Sequence, residues 1–394
     1  MKIIIAMDSF KGSMTSLEAG EAAKAGVLDV VPDAEVSVRP LADGGEGTME
    51  SLRLATQAVP HEATVTCPLG TPVTASYAVT PAGMAILDMA SAAGLILVPE
   101  DRRDPMHTTT RGLGELILAA AGNGCRDFLI GIGGSATNDA GAGMLAALGV
   151  SLLDETGCPI PDGAGGLRQL ARIDRSTMDP VLKDCRFRII CDVTNPLCGP
   201  NGASYIYGPQ KGADPAMCAD LDALLGRFAQ LTETTSRPDS HSDAPQAEPS
   251  GAASLADTPG AGAAGGLGYA FLAYLEASLL PGIEIVLEET RLEEYLKDAN
   301  LLITGEGRLD AQTANGKAPA GAAALAKKHG IPVIALAGSI KLSEEEAPLL
   351  HAAGIDEWYA ITPPDMPHET AKQPAVAQAN MRAAAAQAIR SRIQ

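Results

Sequence analysis

Aromatic residues make up only 3% of this chain of 394 residues, so the large rings that fill many all-β cores are mostly missing. Glycine occurs 42 times and alanine is abundant, which suits helices packed closely against a parallel sheet. The composition therefore predicts an α/β fold. Because the chain is longer than one hydrophobic core usually grows, two domains are expected.

Paired cysteine motifs are also missing from the sequence. The seven cysteines form an odd set with no C-x-x-C pair, and the six histidines show no H-E-x-x-H spacing. The sequence therefore predicts neither a disulfide framework nor a zinc site. Catalysis has to rely on carboxylates, lysine, arginine and backbone groups.

Basic residues are outnumbered, since 29 Lys and Arg stand against 48 Asp and Glu and leave a net charge of −19. Such a charge repels nucleic acid and anionic membrane surfaces, so neither partner is expected. The apolar start at residues 1–7 is too short for a signal peptide, and no long uncharged apolar stretch follows it. A cytoplasmic protein is expected, and the sequence gives no indication of its oligomeric state.

Both ends of the chain share one alternation of strand and helix. Residues 2–7 predict a strand buried on both faces, and Thr15 to Glu18 match a capping box that opens the following helix. The same alternation resumes near residue 290. Its predicted strands cover residues 301–304, 331–336 and 355–361.

Short strands separated only by turns fill the beginning of the middle region. Residues 63–67, 73–79 and 84–89 leave no room for crossover helices, so they predict an antiparallel meander. The interruption of the βα pattern predicts a discontinuous domain with an insertion.

Domain boundaries follow from this interruption. A parallel-sheet domain is expected over residues 1–58 and 287–394, and a mixed α/β insertion over residues 59–286. Two consecutive domains are the alternative. Residues 235–258 are rich in Ser, Pro, Asp and Ala, and they predict a disordered surface loop.

Glycine and acidic residues recur together after predicted strands. Glycine lets a backbone approach a phosphate closely, and neighbouring carboxylates can hold the divalent cation that accompanies phosphates. In an open parallel sheet, ligands bind beyond the carboxyl ends of the strands. The pattern indicates phosphoryl transfer. It occurs at residues 43–47, 131–139, 199–212, 259–262 and 304–310.

The glycine-rich segment at residues 131–143 follows a predicted strand and precedes a predicted helix. It lacks the lysine of a Walker A loop and the ribose-binding pattern of a dinucleotide fingerprint. We interpret it as a phosphate cradle, with tight packing of strand and helix as the alternative. Three further features have a structural alternative to a role in catalysis or phosphate binding. Asp192 can be a turn or helix cap, Lys211 can be a solvated surface lysine, and residues 259–268 can serve a contact between helices.

Seven short motifs occur in a fixed order along the sequence. They are DSFKG at 8–12, ADGGEG at 42–47, GGSATND at 133–139, CDVTNPL at 191–197, GPQKG at 208–212, PGAGAAGGLG at 259–268 and TGEGRLD at 304–310. Together they resemble the bacterial glycerate kinase family. One departure from the family's pattern is visible. The polar stretch at residues 236–257 looks longer than the link that usually precedes the motif at 259–268.

This resemblance implies ATP-dependent phosphorylation of D-glycerate, with 2-phospho-D-glycerate as the usual product. Mg²⁺ is the metal expected to accompany the phosphates and to be held by carboxylates. A kinase that forms 3-phosphoglycerate is the alternative. The resemblance also implies a flavodoxin-like domain interrupted by a restriction-enzyme-like domain, which agrees with the discontinuous domain predicted above.

Candidate roles in this reaction follow from residue type. Glycerate offers a carboxylate and two hydroxyls, so its site needs a cation and hydrogen-bond donors. The substrate candidates are Ser9, Lys11, Arg308 and Asp310. The candidates for the ATP phosphates are Gly133, Gly134, Ser135 and Lys211. The catalytic candidates are Asp192 and Asp8 as alternative proton acceptors together with Lys11, and the metal candidates are Asp43, Glu46 and Asp139.

Two other classes of protein use similar folds. A nicotinamide-dependent oxidoreductase is expected to carry G-x-G-x-x-G after its first strand, whereas here that strand ends in Asp-Ser-Phe-Lys. A small-molecule sensor is expected to carry a DNA-binding or signalling module, which this acidic sequence does not suggest. Both remain alternatives to the kinase.

Overall fold

The computed structural model describes residues 1–42, 47–235, 254–315, 317–343 and 345–393. The chain divides into two compact units, which we call unit 1 (Met1–Ala58 with Pro281–Gln394) and unit 2 (Val59–Leu280). The division at residue 280 lies six residues before the boundary expected from the sequence.

Strands in the described part of the chain are numbered in chain order. They are β1 (Lys2–Met7), β2 (Glu35–Val38), β3 (Val59–Thr66), β4 (Pro72–Val79), β5 (Met84–Asp88), β6 (Asp127–Gly131), β7 (Ser151–Leu153), β8 (Arg172–Asp174), β9 (Arg186–Ile190), β10 (Ser278–Leu280), β11 (Leu301–Asp310), β12 (Val333–Lys341) and β13 (Glu357–Ala360).

Helices are numbered in the same way. They are α1 (Ser16–Leu28), α2 (Thr48–Ala55), α3 (Ala90–Ala93), α4 (Arg111–Gly122), α5 (Ala142–Ala147), α6 (Ala203–Tyr207), α7 (Pro215–Thr235), α8 (Ala263–Leu275), α9 (Gly282–Glu289), α10 (Leu292–Leu296), α11 (Ala318–Lys328), α12 (Ala347–Ala352), α13 (His368–Ala371) and α14 (Pro374–Ile393). None of these helices has the length and apolar character needed to cross a membrane.

Unit 1 is built on a five-stranded sheet in the order β13-β12-β11-β1-β2, in which every neighbouring pair is parallel. Ile3, Ile4 and Ile5 of β1 are fully buried although successive side chains point to opposite faces. Both faces of this strand are therefore covered, as the sequence predicted. The α/β class with a parallel sheet is confirmed.

The start of α1 is fixed by the predicted capping box. The Thr15 hydroxyl accepts a hydrogen bond from the Glu18 N–H at 3.2 Å, and the Glu18 carboxylate accepts from the Thr15 N–H at 2.8 Å. These bonds satisfy two N–H groups that have no partner inside the helix. The cap fixes where the chain leaves the loop after β1.

Strand β11 is longer than the sequence predicted. The sequence predicted a strand that ends at residue 304 and a loop over 304–310. Instead β11 continues to Asp310, and its last residues stay paired with β12 up to the Asp310–Lys341 pair. Strand β1 ends opposite Gly305, so β11 and β12 extend beyond it by about 16 Å, at roughly 3.3 Å a residue.

Unit 2 contains a six-stranded mixed sheet in the order β10-β9-β6-β5-β4-β3. Strands β3, β4 and β5 pair antiparallel, which confirms the predicted meander. Strands β5, β6, β9 and β10 are parallel, so their carboxyl ends lie along one edge. A two-stranded sheet of β7 and β8 lies outside this arrangement.

The predicted disordered loop at 235–258 mostly falls on residues 236–253, which lie outside the described residues. On its flanks, Thr235 is the last residue of α7 and Leu255–Asp257 forms a 3-10 turn.

Close packing of α1 against α14 generates the first prediction. A Cβ atom at Gly26 would lie 2.1 Å from the Arg382 carbonyl oxygen, so Gly26→Ala forces these two helices apart. We expect a loss of about 1–3 kcal/mol of stability, measured as a lower urea midpoint for unit 1.

Gly122→Ala in unit 2 is the control for the substitution itself, because a Cβ at this helical glycine meets nothing within 4 Å. It is expected to leave stability unchanged or to raise it by up to about 1 kcal/mol. Equal midpoints for Gly26→Ala and wild type would contradict the packing argument.

Candidate functional site

Unit 1 contains a cavity of about 520 Å³ at the carboxyl ends of its central strands. The loop after β1, the extended ends of β11 and β12, the start of α11 and the short helix α13 contribute to it. The lining residues are Asp8, Ser9, Lys11, Glu306, Gly307, Arg308, Lys317, Ser339, Lys341, His368 and Lys372. Three predicted substrate residues, Ser9, Lys11 and Arg308, thus line one cavity.

A tight turn presents Lys11 to this cavity. The Phe10 N–H donates to the Met14 carbonyl at 2.9 Å and the Met14 N–H returns a bond of 3.1 Å. Both of these side chains are buried, whereas Lys11 is exposed at the tip beside Gly12, whose φ of +80° favours glycine. The buried anchors therefore hold an exposed cation in place.

Two carboxylates are buried in the cavity wall. Asp8 is 5% exposed, and its Oδ1 accepts a hydrogen bond from the Ser9 N–H at 2.6 Å. Glu306 is 6% exposed, and its Oε1 accepts from the Thr313 hydroxyl at 2.5 Å. The Lys317 ammonium lies 3.7 Å from the other Glu306 oxygen. Glu306 thus belongs to a network of side chains around the start of α11.

Asp310 orders the cationic side of the cavity and is absent from its lining. Its Oδ2 accepts a hydrogen bond from Arg308 Nε at 2.9 Å, and its Oδ1 accepts from the Gln312 N–H at 3.0 Å. Lys317 Nζ is 4.0 Å from the same Oδ1. The carboxylate therefore fixes the orientation of Arg308.

In unit 2, the carboxyl edge of the parallel strands carries a glycine loop between two acids. Gly131 of β6 pairs with Asp88 of β5 on one side and with Ile190 of β9 on the other. Gly133 and Gly134 follow β6 and are exposed, and Asp192 follows β9 and is also exposed. Ser135 is buried beside them. This edge combines backbone groups with carboxylates, as a nucleotide with a divalent cation requires.

Asp139 is a fully buried acceptor of hydrogen bonds. Its Oδ2 accepts from the Thr110 hydroxyl at 2.9 Å, the Thr110 N–H at 3.0 Å and the Gly143 N–H at 3.2 Å, and its Oδ1 accepts from the Gly141 N–H at 3.1 Å. Burial raises the pKa of Asp139, and these four bonds oppose the rise. A carboxylate that accepts four hydrogen bonds and has no exposed surface is unsuited to coordinate a metal ion.

Lys211 is buried, with 1% of its surface exposed, so the alternative of a solvated surface lysine is wrong. Its ammonium donates to the Thr137 carbonyl at 2.7 Å. Burial lowers the pKa of Lys211 to about 7, and attraction to Asp139 offsets only part of that effect. Lys211 therefore contacts the backbone of the segment that follows the glycine loop.

A glycine turn packs on the other side of this segment. The Ala140 N–H donates to the Gly265 carbonyl at 3.0 Å, and a Cβ at Gly265 would lie 2.1 Å from the Thr137 oxygen. Gly265 also has a φ of +71°, so glycine is required by both backbone conformation and close approach. This turn interrupts the first part of α8 and serves contact with the 137–140 segment.

The two remaining metal candidates, Asp43 and Glu46, lie outside the described residues. Within the described ranges, no group of three or more His, Cys, Asp and Glu side chains is arranged to hold a metal ion. A preformed group of that size is unnecessary for Mg²⁺, which usually binds one or two carboxylates together with substrate phosphates.

Comparisons with known proteins agree with the motif order. A model of the glycerate kinase family matches residues 3–392. The chain is 48% identical over 362 residues to glycerate 2-kinase of Escherichia coli (strain K12), covering 92% of this chain and 90% of that protein. The chain belongs to the glycerate kinase family. The resemblance indicated by the seven motifs is therefore confirmed.

Other family members support the same assignment. Glycerate kinase of Bacillus subtilis (strain 168) is 48% identical over 372 residues, which cover 94% of this chain and 93% of that protein. A crystal structure from Salmonella typhimurium LT2, assigned as glycerate kinase 2, is similar with a TM-score of 0.86 at 43% identity. That similarity covers 100% of this chain and 98% of the other.

Sequence reasoning missed several residues of this family member's candidate site. Asp88 ends a correctly predicted apolar strand, and this position at a strand end was the available signal. Lys341 and Lys372 belong to none of the seven motifs and reach the cavity through the extension of β12 and through α13. Lys317, at the N-cap of α11, also lies outside the seven motifs.

The buried Lys211 generates a pH-dependent prediction. Between about pH 7 and the ordinary lysine pKa, the unfolded chain binds more protons at this residue than the folded chain does. Its contribution to the free energy of unfolding therefore rises with pH across that window. Relative to Lys211→Met, wild type should gain about 2 kcal/mol from pH 7 to pH 9, measured by urea denaturation.

Lys183→Met in the same unit provides the control for this measurement, because Lys183 is exposed. Its stability difference from wild type should not change with pH over this range. A pH-independent difference for Lys211→Met would show that the ammonium does not lose its proton near neutrality.

Proposed function

We propose that this chain transfers the γ-phosphoryl group of ATP to D-glycerate and forms 2-phospho-D-glycerate. The observation that carries the proposal is the convergence of Ser9, Lys11 and Arg308 on one cavity of an acidic chain that belongs to the glycerate kinase family. The E. coli relative is named glycerate 2-kinase, which supports the 2-hydroxyl as acceptor. The 3-phosphoglycerate-forming reaction is the second candidate.

Substrate binding is assigned to unit 1. Lys11 and the oriented guanidinium of Arg308 attract the glycerate carboxylate, and the Ser9 hydroxyl can bond to it or to a substrate hydroxyl. Asp310 acts through Arg308, since it accepts a hydrogen bond from Arg308 Nε at 2.9 Å. We therefore assign Asp310 as a positioning residue.

Asp8 is the better candidate for the proton acceptor than Asp192. It lines the same cavity as Ser9, Lys11 and Arg308, whereas Asp192 follows a strand of unit 2. In the step we propose, the substrate hydroxyl oxygen bonds to the γ-phosphorus while the bond from that phosphorus to the bridging oxygen of ADP breaks. The hydroxyl proton passes to the Asp8 carboxylate, and ADP leaves with its negative charge.

Nucleotide binding is assigned to the glycine loop of unit 2. Exposed backbone at Gly133 and Gly134, with Ser135 next to them, can approach phosphate oxygens closely. Lys211 is too deeply buried to screen phosphate charge directly, so we assign it to holding the Thr137 carbonyl and thereby the loop. Asp139 is assigned to ordering the turn at Gly141 and Gly143.

The exposed carboxylates beside the glycine loop suit Mg²⁺. Asp192 and Asp88 follow or end strands that flank β6, and hard oxygen donors are what this cation prefers. When bound with ATP, Mg²⁺ would neutralise charge that develops on the phosphate oxygens.

Three broader features complete the proposal. We assign unit 1 to the flavodoxin-like type and unit 2 to a restriction-enzyme-like insertion, because unit 1 is a five-stranded parallel α/β sheet formed by both ends of the chain. We place the enzyme in the cytoplasm and assign no nucleic-acid partner, in view of its net charge of −19. The oxidoreductase and sensor alternatives are set aside because the chain belongs to the glycerate kinase family.

The direct test is to identify the product. The full chain, incubated with D-glycerate, ATP and Mg²⁺, should consume ATP and give the ³¹P NMR signal of 2-phosphoglycerate. L-glycerate and a reaction without acceptor are the controls. A 3-phosphoglycerate signal would support the second candidate, and no ATP consumption with D-glycerate would refute the kinase assignment.

Asp8 and Asp192 are assigned different roles, and single substitutions can distinguish these roles. Asp8→Asn should lower kcat by about 10² to 10⁴, because a carboxamide cannot accept the hydroxyl proton, while the KM for D-glycerate changes little. Asp192→Asn should instead raise the Mg²⁺ concentration needed for half-maximal rate. Steady-state kinetics over a Mg²⁺ titration separate the two effects.

Asp298→Asn is a suitable control, since this exposed acid lies outside the cavity lining. If Asp8→Asn keeps its turnover while Asp192→Asn loses it at saturating Mg²⁺, the assignment of the proton acceptor must be reversed.

A further inference from the structure

The cations around the unit 1 cavity fall into two groups. Arg308 and Lys317 have carboxylate partners in Asp310 and Glu306. For Lys11, Lys341 and Lys372, the described part of the chain contains no carboxylate oxygen within 4 Å of the ammonium. Three lysines that have no ion pair among the described residues therefore line one cavity.

This local excess is unusual for a chain with a net charge of −19. Ammonium groups that line one cavity repel one another, and the abundance of Asp and Glu would make local neutralisation easy. An anionic ligand relieves this repulsion when it binds. One lysine suffices for the carboxylate of glycerate, which leaves Lys341 and Lys372 without a function in the proposed substrate site.

Secondary structure holds these two lysines against the cavity. Lys341 is the last residue of β12 and pairs with Asp310 of β11, whose oxygens already accept bonds from Arg308 and Gln312. Ser339, two residues before Lys341, lies on the same face of the strand and also lines the cavity. Lys341 is therefore directed to this side by strand register.

Lys372 is fixed from a different element. It is the C-cap of α13, and its backbone N–H donates to the carbonyls of His368 and Thr370. His368 lines the cavity as well. Two cations from separate elements, with a serine and a histidine near them, give the mixture of charge and donors that binds a phosphate group.

We propose that Lys341 and Lys372 form a subsite for the phosphate group of a phosphorylated hydroxy acid, separate from the residues that bind the carboxylate. The proposal rests on the proposed function, in that the ligand is then the reaction product, a phosphoglycerate. A cavity of about 520 Å³ has room for this group beside a three-carbon acid. The subsite favours the product over the substrate and makes the enzyme sensitive to product inhibition.

Calorimetry with the full chain, without nucleotide, tests the subsite. In Lys341→Met/Lys372→Met, the affinity for 2-phospho-D-glycerate should fall about tenfold, while the affinity for D-glycerate stays within about threefold. Lys328→Met is the matched control, because Lys328 lies at the far end of α11 from Lys317 and is exposed. Circular dichroism and thermal midpoints establish that the variants are folded.

Each outcome decides the question. An equal loss of affinity for both ligands would show that the lysines act only through general attraction, and unchanged affinity for the phosphate ester would exclude the subsite. Inorganic phosphate that competes with 2-phospho-D-glycerate in wild type and not in the double variant would support it. If wild type binds the ester in this way but never phosphorylates D-glycerate, the proposed function fails and the subsite stands.

Discussion

The pairing of β11 with β12 beyond the end of β1 is the constraint on which the unit 1 site depends. In that extension the strand pairing of β11 is continued by β12 and no longer by β1, because β1 stops opposite Gly305. Glu306, Arg308 and Asp310 therefore stand at alternate positions of a strand and share one face. A loop with the same sequence would leave these three side chains free to point in different directions.

The cationic side chains around this strand pair fall into two groups. Carboxylates of the chain neutralise and orient Arg308 and Lys317, so those cations lose little freedom when a ligand arrives. Lys11, Lys341 and Lys372 have no carboxylate partner among the described residues, so their charge is available to a ligand. An acidic protein can bind an acidic substrate in this way, because the field in a cavity follows the nearest groups and distant surface charges are screened within about 8–10 Å.

Sequence alone predicted the parts of the fold that follow from local patterns. The capping box of α1, the buried strand β1 and the β3–β5 meander were recovered, because each depends on residues that are neighbours in the chain. The end of β11 was not recovered, since glycine and acidic residues normally indicate a loop and only pairing with β12 overrides that preference. Strand boundaries of this kind depend on tertiary contacts.

Prediction of the site was limited in the same way. Ser9, Lys11 and Arg308 belong to sequence motifs and line one cavity, whereas Lys341 and Lys372 reach that cavity only through strand register and a short helix. Residue type alone also gave Lys211 a direct contact with phosphate, and burial makes that role unsuitable.

The burial of Lys211 has a structural cause that links two glycine-rich segments. The segment at 137–140 lies between this ammonium and the turn at Gly265, and the Asn138 amide adds a bond of 2.9 Å to the Ser204 hydroxyl. A buried charge lowers the free energy of unfolding unless it is well paired. The contact with Lys211 therefore fixes the backbone conformation of this segment at a cost in stability. A fixed backbone here can hold the exposed Gly133 and Gly134 in position although these residues have no side chains of their own.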